Sequence, residues 1–65
     1  MKKIVLRRTE QGWMAGWYGP EAEAIKKLFG STLLPTGFTA HAEVATVRDS
    51  VAKWNPGYVV VVTIP

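Results

Sequence analysis

The 65-residue chain contains no cysteine. This absence excludes disulfide bonds and metal sites built from thiolates, which often support domains of fewer than about 70 residues. The chain is also too short for a second core. We therefore expect one compact domain over residues 1–65, held by tight aromatic packing or by self-association.

Catalytic groups are scarce as well. The chain has one histidine, His41, and no serine or carboxylate stands beside it in a recognised motif. An exposed histidine without a role is the ordinary case near the start of a helix, where His41 is expected. The glycines at positions 12, 16 and 19 lack the Lys-Ser/Thr pattern of a phosphate-binding loop. We therefore predict that the protein is not an enzyme and has no cofactor or metal site.

Long apolar runs are absent. The longest, residues 58–62, is about a quarter of a membrane span. The apolar stretch after the basic start of the chain is much shorter than that of a signal peptide, and the lack of cysteine fits a reducing compartment. We expect a cytoplasmic bacterial protein that does not associate with membranes.

Aromatic and basic residues are what the chain does have. It is 48% hydrophobic, with three Trp, two Tyr and two Phe, which is too apolar for a disordered segment. Its formal net charge is +3, and nucleic-acid binders of this size often carry more charge in one stripe. The composition predicts a folded domain with a mildly positive surface.

A β-hairpin is predicted at the start of the chain. Its strands are residues 3–8 and 13–18, with Gly12 supplying the positive φ that a tight loop needs. Because side chains alternate along a strand, Trp13, Ala15 and Trp17 share one face, and the opposite face holds Met14, Gly16 and Tyr18. We expect Gly16 to mark a bulge or to lie beneath a large side chain.

Two helices are predicted next. Gly19-Pro20-Glu21 indicates the start of a helix of about ten residues that ends at Gly30, with an apolar stripe of Ile25, Leu28 and Phe29. Thr39 is the expected N-cap of a second helix that runs to about Trp54. Asn55-Pro56-Gly57 ends this helix, and its expected buried stripe is Val44, Val47, Val51 and Trp54.

The segment between the helices, residues 31–38, is predicted to be an ordered loop. Pro35 and Gly37 favour extended and turn geometry, whereas Leu33, Leu34 and Phe38 are too apolar for solvent. The loop is either a lid over a ligand pocket or a plug in the core. A small domain has little room for a pocket of about 300 Å³, so we expect a plug, with Phe38 against Trp54 or the first helix.

Residues 58–64 are predicted to form a strand with almost no polar face. Such a β-branched run indicates burial on both sides, as in a central strand. The predicted fold is α+β with the order ββααβ: a three-stranded sheet, of open strand order, with two helices packed on one face. Two short helices cover one face of that sheet, so the other face needs a different cover.

The first functional hypothesis is a non-enzymatic protein-interaction module, either a homodimer through the sheet or an accessory to a larger bacterial partner. If Val59 and Val61 have no helix above them, they make an apolar patch, which in a soluble protein usually marks a partner surface. The alternative is that aromatic side chains fold over this face and cover it.

The second hypothesis is a small nucleic-acid-binding protein that uses the basic and aromatic hairpin. Lys2, Lys3, Arg7 and Arg8 flank the first strand, beside the rings of the second. The alternative is a structural role for these residues. Charges at strand ends prevent edge-to-edge aggregation, and aromatic residues in so small a chain usually belong to the core. Over both hypotheses, the candidate binding residues are Arg7, Arg8, Trp17, Tyr18, Val59 and Val61.

Three segments carry a resemblance: Leu28-Phe29-Gly30, residues 32–39 and Asn55-Pro56-Gly57. They resemble small uncharacterised bacterial proteins that have a Gly-Trp hairpin, Leu-Phe-Gly, a Thr-Leu-Pro-Thr-x-Phe loop and an Asn-Pro helix stop. The resemblance implies a bacterial origin, and no activity is known for the group.

Overall fold

The structure, a computed structural model, describes residues 1–63. These residues form four strands and two helices in the order ββαβαβ. The α+β class is confirmed, but the predicted three-stranded ββααβ order is wrong because part of the segment between the helices is a strand. The elements are β1 (Lys3–Thr9), β2 (Gly12–Tyr18), α1 (Ala22–Phe29), β3 (Leu33–Pro35), α2 (Val44–Trp54) and β4 (Val59–Thr63).

The four strands form one mixed sheet in the order β3-β2-β1-β4. β2 pairs antiparallel with β1 and β3, whereas β4 runs parallel to β1. The predicted central position of the last strand is therefore wrong: β4 lies at an edge, with Val60 and Val62 half-buried and Val59 and Val61 exposed. β-branched residues suit any pleated, half-buried surface. Ile64, which ended the predicted strand, lies outside the described residues.

The predicted hairpin is confirmed. β1 and β2 pair from Lys3 with Tyr18 to Thr9 with Gly12. Gly12 has φ 123°, and a Cβ atom there would lie 2.6 Å from the carbonyl oxygen of Phe38. That oxygen accepts a 3.0 Å hydrogen bond from the backbone N–H of Trp13. Glycine is thus required at position 12 both by the turn and by the close approach of another backbone segment.

The core lies between the sheet and α2. Val47 of α2 is fully buried against inward-facing side chains of β1 and β2, namely Ile4, Leu6, Trp13 and Ala15. The faces predicted for the second strand are thereby confirmed, because Trp13 and Ala15 belong to the buried set. Around this cluster lie partly buried side chains from β2, α2, β4 and the segments that precede α2 and β4: Trp17, Phe38, Ala42, Val44, Val51, Tyr58, Val60 and Val62.

α1 contributes less to the core than its pattern predicts. Every residue of the helix is at least partly exposed, and Leu28 is 77% exposed. The predicted stripe is therefore wrong for Leu28 and Phe29, because α2 occupies the centre of the core face. The helix end is as predicted: Gly30 adopts a left-handed conformation and donates its N–H to the carbonyl oxygen of Lys26 at 2.7 Å.

α2 begins later than predicted. Residues 39–42 form a turn in which the N–H of Ala42 donates to Thr39, and Glu43 rather than Thr39 is the N-cap residue. Side chains of the hairpin hold this turn through the carbonyl oxygen of Ala42. Trp54 is 76% exposed in the last turn, so its predicted place in the buried stripe is wrong: the core reaches Val47 and Val51 but not the helix end.

Candidate interaction surface

The sheet face opposite α2 is open to solvent. Strand alternation and the pairing registers determine which side chains lie there. Val59 is 58% exposed, and Tyr18, Leu33 and Val61 are also exposed. We call this surface the open face; it consists of Lys3, Val5, Arg7 and Thr9 of β1, Met14, Gly16 and Tyr18 of β2, Leu33 and Pro35 of β3, and Val59, Val61 and Thr63 of β4.

The open face brings together four of the six candidate binding residues. Arg7, Tyr18, Val59 and Val61 all point to this side. Arg8 and Trp17 belong to the opposite side, because adjacent side chains of a strand point to opposite faces. Arg8 directly follows Arg7 in β1, and Trp17 directly precedes Tyr18 in β2. The rings of the hairpin are divided in the same way, since Tyr18 faces outward and Trp13 and Trp17 face the core.

Arg8 and Trp17 have structural contacts. The Arg8 guanidinium lies 4.8 Å from the centre of the Trp13 ring and donates a 3.1 Å hydrogen bond to the carbonyl oxygen of Ala42. Trp17 packs edge-on against Tyr58, with ring centres 5.2 Å apart. These contacts tie both side chains to neighbouring parts of the fold.

A depression lies over Gly16 in the middle of the open face. The Cδ1 atom of Leu33 and the Cε2 atom of Tyr18 each lie 3.7 Å from where a Cβ of Gly16 would be. Large side chains thus pack beside this glycine, as one of the two predicted alternatives states, and the register continues through it. The depression has a volume of about 210 Å³ and is lined by Val5, Arg7, Gly16, Tyr18, Thr32 and Leu33.

The charge of the open face is positive. Lys3 places its Nζ atom 5.2 Å from the centre of the Tyr18 ring, and Arg7 is exposed at the rim of the depression. The salt bridges within residues 1–63 join Lys2 with Glu21 and Arg48 with Asp49. Lys3 and Arg7 are therefore not paired with a carboxylate of the described residues.

The outer edge of β4 is the second notable surface. The N–H of Val59 donates to the carbonyl oxygen of Lys2, on the β1 side. Successive residues of a strand direct their backbone groups to opposite edges, so those of Val60 and Val62 point away from β1. Within residues 1–63, no strand pairs with this edge.

A charged cluster joins the start of α1 to the start of β4. Tyr58 donates its phenol hydrogen to the carboxylate of Glu21 at 2.8 Å, and Lys2 lies 3.3 Å from the other oxygen of this carboxylate. The hydrogen bond from Tyr58, followed by that from Lys2, lowers the pKa of Glu21. Desolvation, followed by the bond to Glu21, raises the pKa of Tyr58. The cluster thus links the start of α1 to the residue before β4.

An apolar cleft runs between α2 and the β2–β3 side of the sheet. Its volume is about 220 Å³, and Trp17, Leu34, Phe38, Val51 and Trp54 are among its lining residues. Phe38 and Trp54 thus border the same space. Phe38 also packs on the core as the plug prediction states, but Leu33 points to the open face and is exposed.

Three further observations concern His41, metal-ligating side chains and the two helices. His41 is exposed in the turn before α2. Residues 1–63 contain no group of three or more His, Asp or Glu side chains that could hold a metal ion. Neither helix of the described chain has the length and apolarity that a membrane span requires.

The chain matches no protein-family model, no curated protein and no solved structure. The candidate surfaces therefore rest on geometry alone. Two of them, the β4 edge and the depression over Gly16, were not identified from the sequence, because both depend on which strands are neighbours. The feature of the sequence that pointed to the depression was Gly16, a glycine in the middle of a predicted strand.

Proposed function

We propose that this domain is a non-enzymatic protein-interaction module that forms a homodimer through its sheet, by antiparallel pairing of the β4 edges of two copies. The outer edge of β4 is the observation that carries this proposal. Val59–Thr63 contains no charged residue and no proline, although such residues commonly protect an exposed edge from pairing. An unprotected edge strand is a ready template for another strand.

The opposite edge of the sheet, formed by β3, is protected from strand pairing, unlike the β4 edge. β3 is only three residues long and ends in Pro35, which has no backbone N–H to donate. It is thus protected in the usual ways, by its length and by a proline. The difference between the two edges supports pairing at β4 rather than indiscriminate association at both.

The register of the proposed pairing follows from the direction of the backbone groups. With Val61 on the two-fold axis, Val60 of one copy faces Val62 of the other, and both outward-pointing residues form hydrogen-bonded pairs. Residues of the open face then meet across the axis, since Val61 faces its own counterpart and Val59 faces Thr63. This contact is isologous, as expected of a symmetric dimer.

Hydrogen exchange combined with light scattering tests the proposal. At low micromolar concentration we expect a monomer in which the amides of Val60 and Val62 exchange quickly, whereas those of Val59 and Val61, directed at β1, are protected. At high micromolar concentration we expect a dimer in which all four are protected. A monomer at every concentration would contradict the proposed function, and a dimer with fast exchange at Val60 and Val62 would contradict the β4 pairing.

Charge substitutions provide the matched variants. Val61→Lys places two like charges opposite each other on the axis, whereas Val59→Lys adds the same charge to the same strand and face opposite Thr63. Like charges directly opposite each other are destabilising in a sheet. We therefore expect Val61→Lys to weaken dimerisation more than Val59→Lys, and equal effects would argue against this register.

Nucleic-acid binding receives less support. Proteins that bind single-stranded DNA or RNA without sequence preference use aromatic rings beside cationic side chains. The hairpin presents Tyr18 alone in this way, because Trp13 and Trp17 pack on the core side and Arg8 is stacked on Trp13. The open face is a mainly apolar surface with two cations, which suits a protein partner better than a phosphate backbone.

A further inference from the structure

We infer that the open face binds an acidic, apolar segment of another protein, which inserts one apolar side chain into the depression over Gly16 and pairs a carboxylate with Arg7. This site is separate from the β4 edge. It is present in one copy of the domain, and the inference therefore holds whether or not two copies pair.

The depression has the size and lining of an anchor site. Its floor is Gly16 and Val5, and Tyr18 and Leu33 stand beside it. An apolar cavity of about 150 Å³ holds benzene in another protein, so a depression of about 210 Å³ has room for a leucine or phenylalanine side chain. Apolar or aromatic anchors in such pockets dominate the binding energy of many protein interfaces.

The positive charges around the depression favour a negatively charged partner. Arg7 lines the depression, and Lys3 stands four positions earlier on the same strand and face. The open face lies entirely within residues 1–63 and contains no acidic side chain. Glu10, in the β1–β2 turn, borders a neighbouring depression. A partner with carboxylates beside its apolar residue would neutralise these cations, and Arg binds a carboxylate through two parallel hydrogen bonds.

A second copy of the domain fits this surface poorly. Stacking two open faces would bring Lys3 and Arg7 of one copy towards the same cations of the other, and like-charge contacts across an interface cost several kcal/mol. Nucleic acid would satisfy the charge but would leave Val5, Val61 and Leu33 against a hydrated phosphate backbone. Charge and apolar area together favour an acidic, apolar polypeptide.

Two substitutions separate the apolar and the charged parts of the site. Gly16 is outside the positive-φ glycines, and a Cβ there meets its neighbours at ordinary contact distance. Gly16→Ala is therefore expected to fold normally, and Gly16→Val to fill the depression. Arg7→Glu reverses the charge at the rim. Arg48→Glu makes the same reversal on exposed α2 and is the control.

Selection from a displayed library of random peptides tests the inference. We expect the wild-type domain to enrich peptides in which Asp or Glu stands near a large apolar residue. Their affinity should fall by about tenfold or more, or about 1.4 kcal/mol, in Gly16→Val and in Arg7→Glu, and remain unchanged in Arg48→Glu. If Gly16→Val fails to fold by circular dichroism, Gly16→Ala and Arg7→Glu carry the test, with a smaller decrease expected for Gly16→Ala.

Several outcomes would overturn the inference: no enrichment, enrichment of basic or uncharged peptides, or equal binding by Arg7→Glu. Binding of a single-stranded oligonucleotide that falls steeply with salt, without peptide enrichment, would identify a nucleic-acid surface instead. Peptide binding by a protein that is monomeric at every concentration would support this inference while contradicting the proposed homodimer, so the two proposals fail separately.

Discussion

Arg8 and Trp13 donate hydrogen bonds to one acceptor: the Nη2 atom of Arg8 and the Nε1 atom of Trp13 each lie 3.1 Å from the carbonyl oxygen of Ala42. The guanidinium also stacks on the indole ring. Ala42 stands in the turn before α2, so this contact fixes the start of the helix to the hairpin. The indole N–H is thereby satisfied in a ring that is almost fully buried.

We predict that the two donors contribute unequally to stability. Trp13→Phe removes the buried N–H and leaves a void, which should lower the free energy of unfolding by about 2 kcal/mol. Arg8→Lys keeps the charge at an exposed position and should cost about 0.5 kcal/mol or less. Urea unfolding followed by circular dichroism measures both. A Trp13→Phe variant as stable as the wild type would show that the bond to Ala42 has no net value.

The local pattern was sufficient to predict the hairpin. Gly12 identified the turn, and alternation placed Trp13 and Ala15 on one face. The same alternation separates Arg7 from Arg8, and Trp17 from Tyr18, although the sequence-based candidate set combined them. Which member of each pair faces solvent depends on where α2 packs, and that is a tertiary contact that no local pattern contains.

The strand neighbours could not be predicted for a similar reason. Residues 33–35 are too few to show a period, and they become β3 because β2 offers them a free edge: Leu34 pairs with Ala15, and Pro35 with Met14. The valine run of β4 predicted a strand correctly but not its edge position. Trp54 matches the apolar spacing of α2, yet the helix end lies outside the part of the sheet that the core covers.

The bond between Tyr58 and Glu21 predicts a loss of stability in acid. The pKa of Glu21 is lowered in the folded state, chiefly by the hydrogen bond from Tyr58 and then by Lys2. A lowered folded-state pKa gives stability that is present above the ordinary value of 4.5 and is lost as the pH falls through the folded-state value. The cluster is exposed, so the effect is expected to be small.

Thermal unfolding of Glu21→Gln measures this contribution. The difference in melting temperature between the wild type and Glu21→Gln should be largest near neutral pH and should shrink as the wild-type carboxylate becomes protonated. Glu23→Gln removes a charge from the same helix without touching Tyr58, and it is the matched control. A difference that stays constant from neutral pH into acid, or that is the same for Glu23→Gln, would contradict the assignment.

Tyr58 should show the opposite dependence at high pH. Its folded-state pKa is raised, first by desolvation and then by Glu21. A raised value gives stability that is complete below the ordinary pKa of 10.0 and is lost as the pH rises through the folded-state value. Tyr58→Phe should therefore lose less stability than the wild type in strong alkali, in the same thermal measurement.

Phe38 and Trp54 border the same cleft, but we predict that truncating each to alanine lowers the free energy of unfolding by different amounts. Phe38 packs on the core, whereas Trp54 is mainly exposed. Phe→Ala at a buried site costs about 3–5 kcal/mol. Because Phe38 is only partly buried, we expect Phe38→Ala to cost about 2–3 kcal/mol, a large share of the stability of so small a core.

Trp54→Ala removes an even larger aromatic side chain from the other wall of the cleft and is the matched variant. At an exposed position its cost should remain within about 0.5 kcal/mol, so its urea midpoint should lie close to that of the wild type while Phe38→Ala unfolds at a much lower concentration. Equal, large losses would mean that the two rings close the cleft together in solution. That would support the contact with Trp54, one of the two partners that the sequence predicts for Phe38.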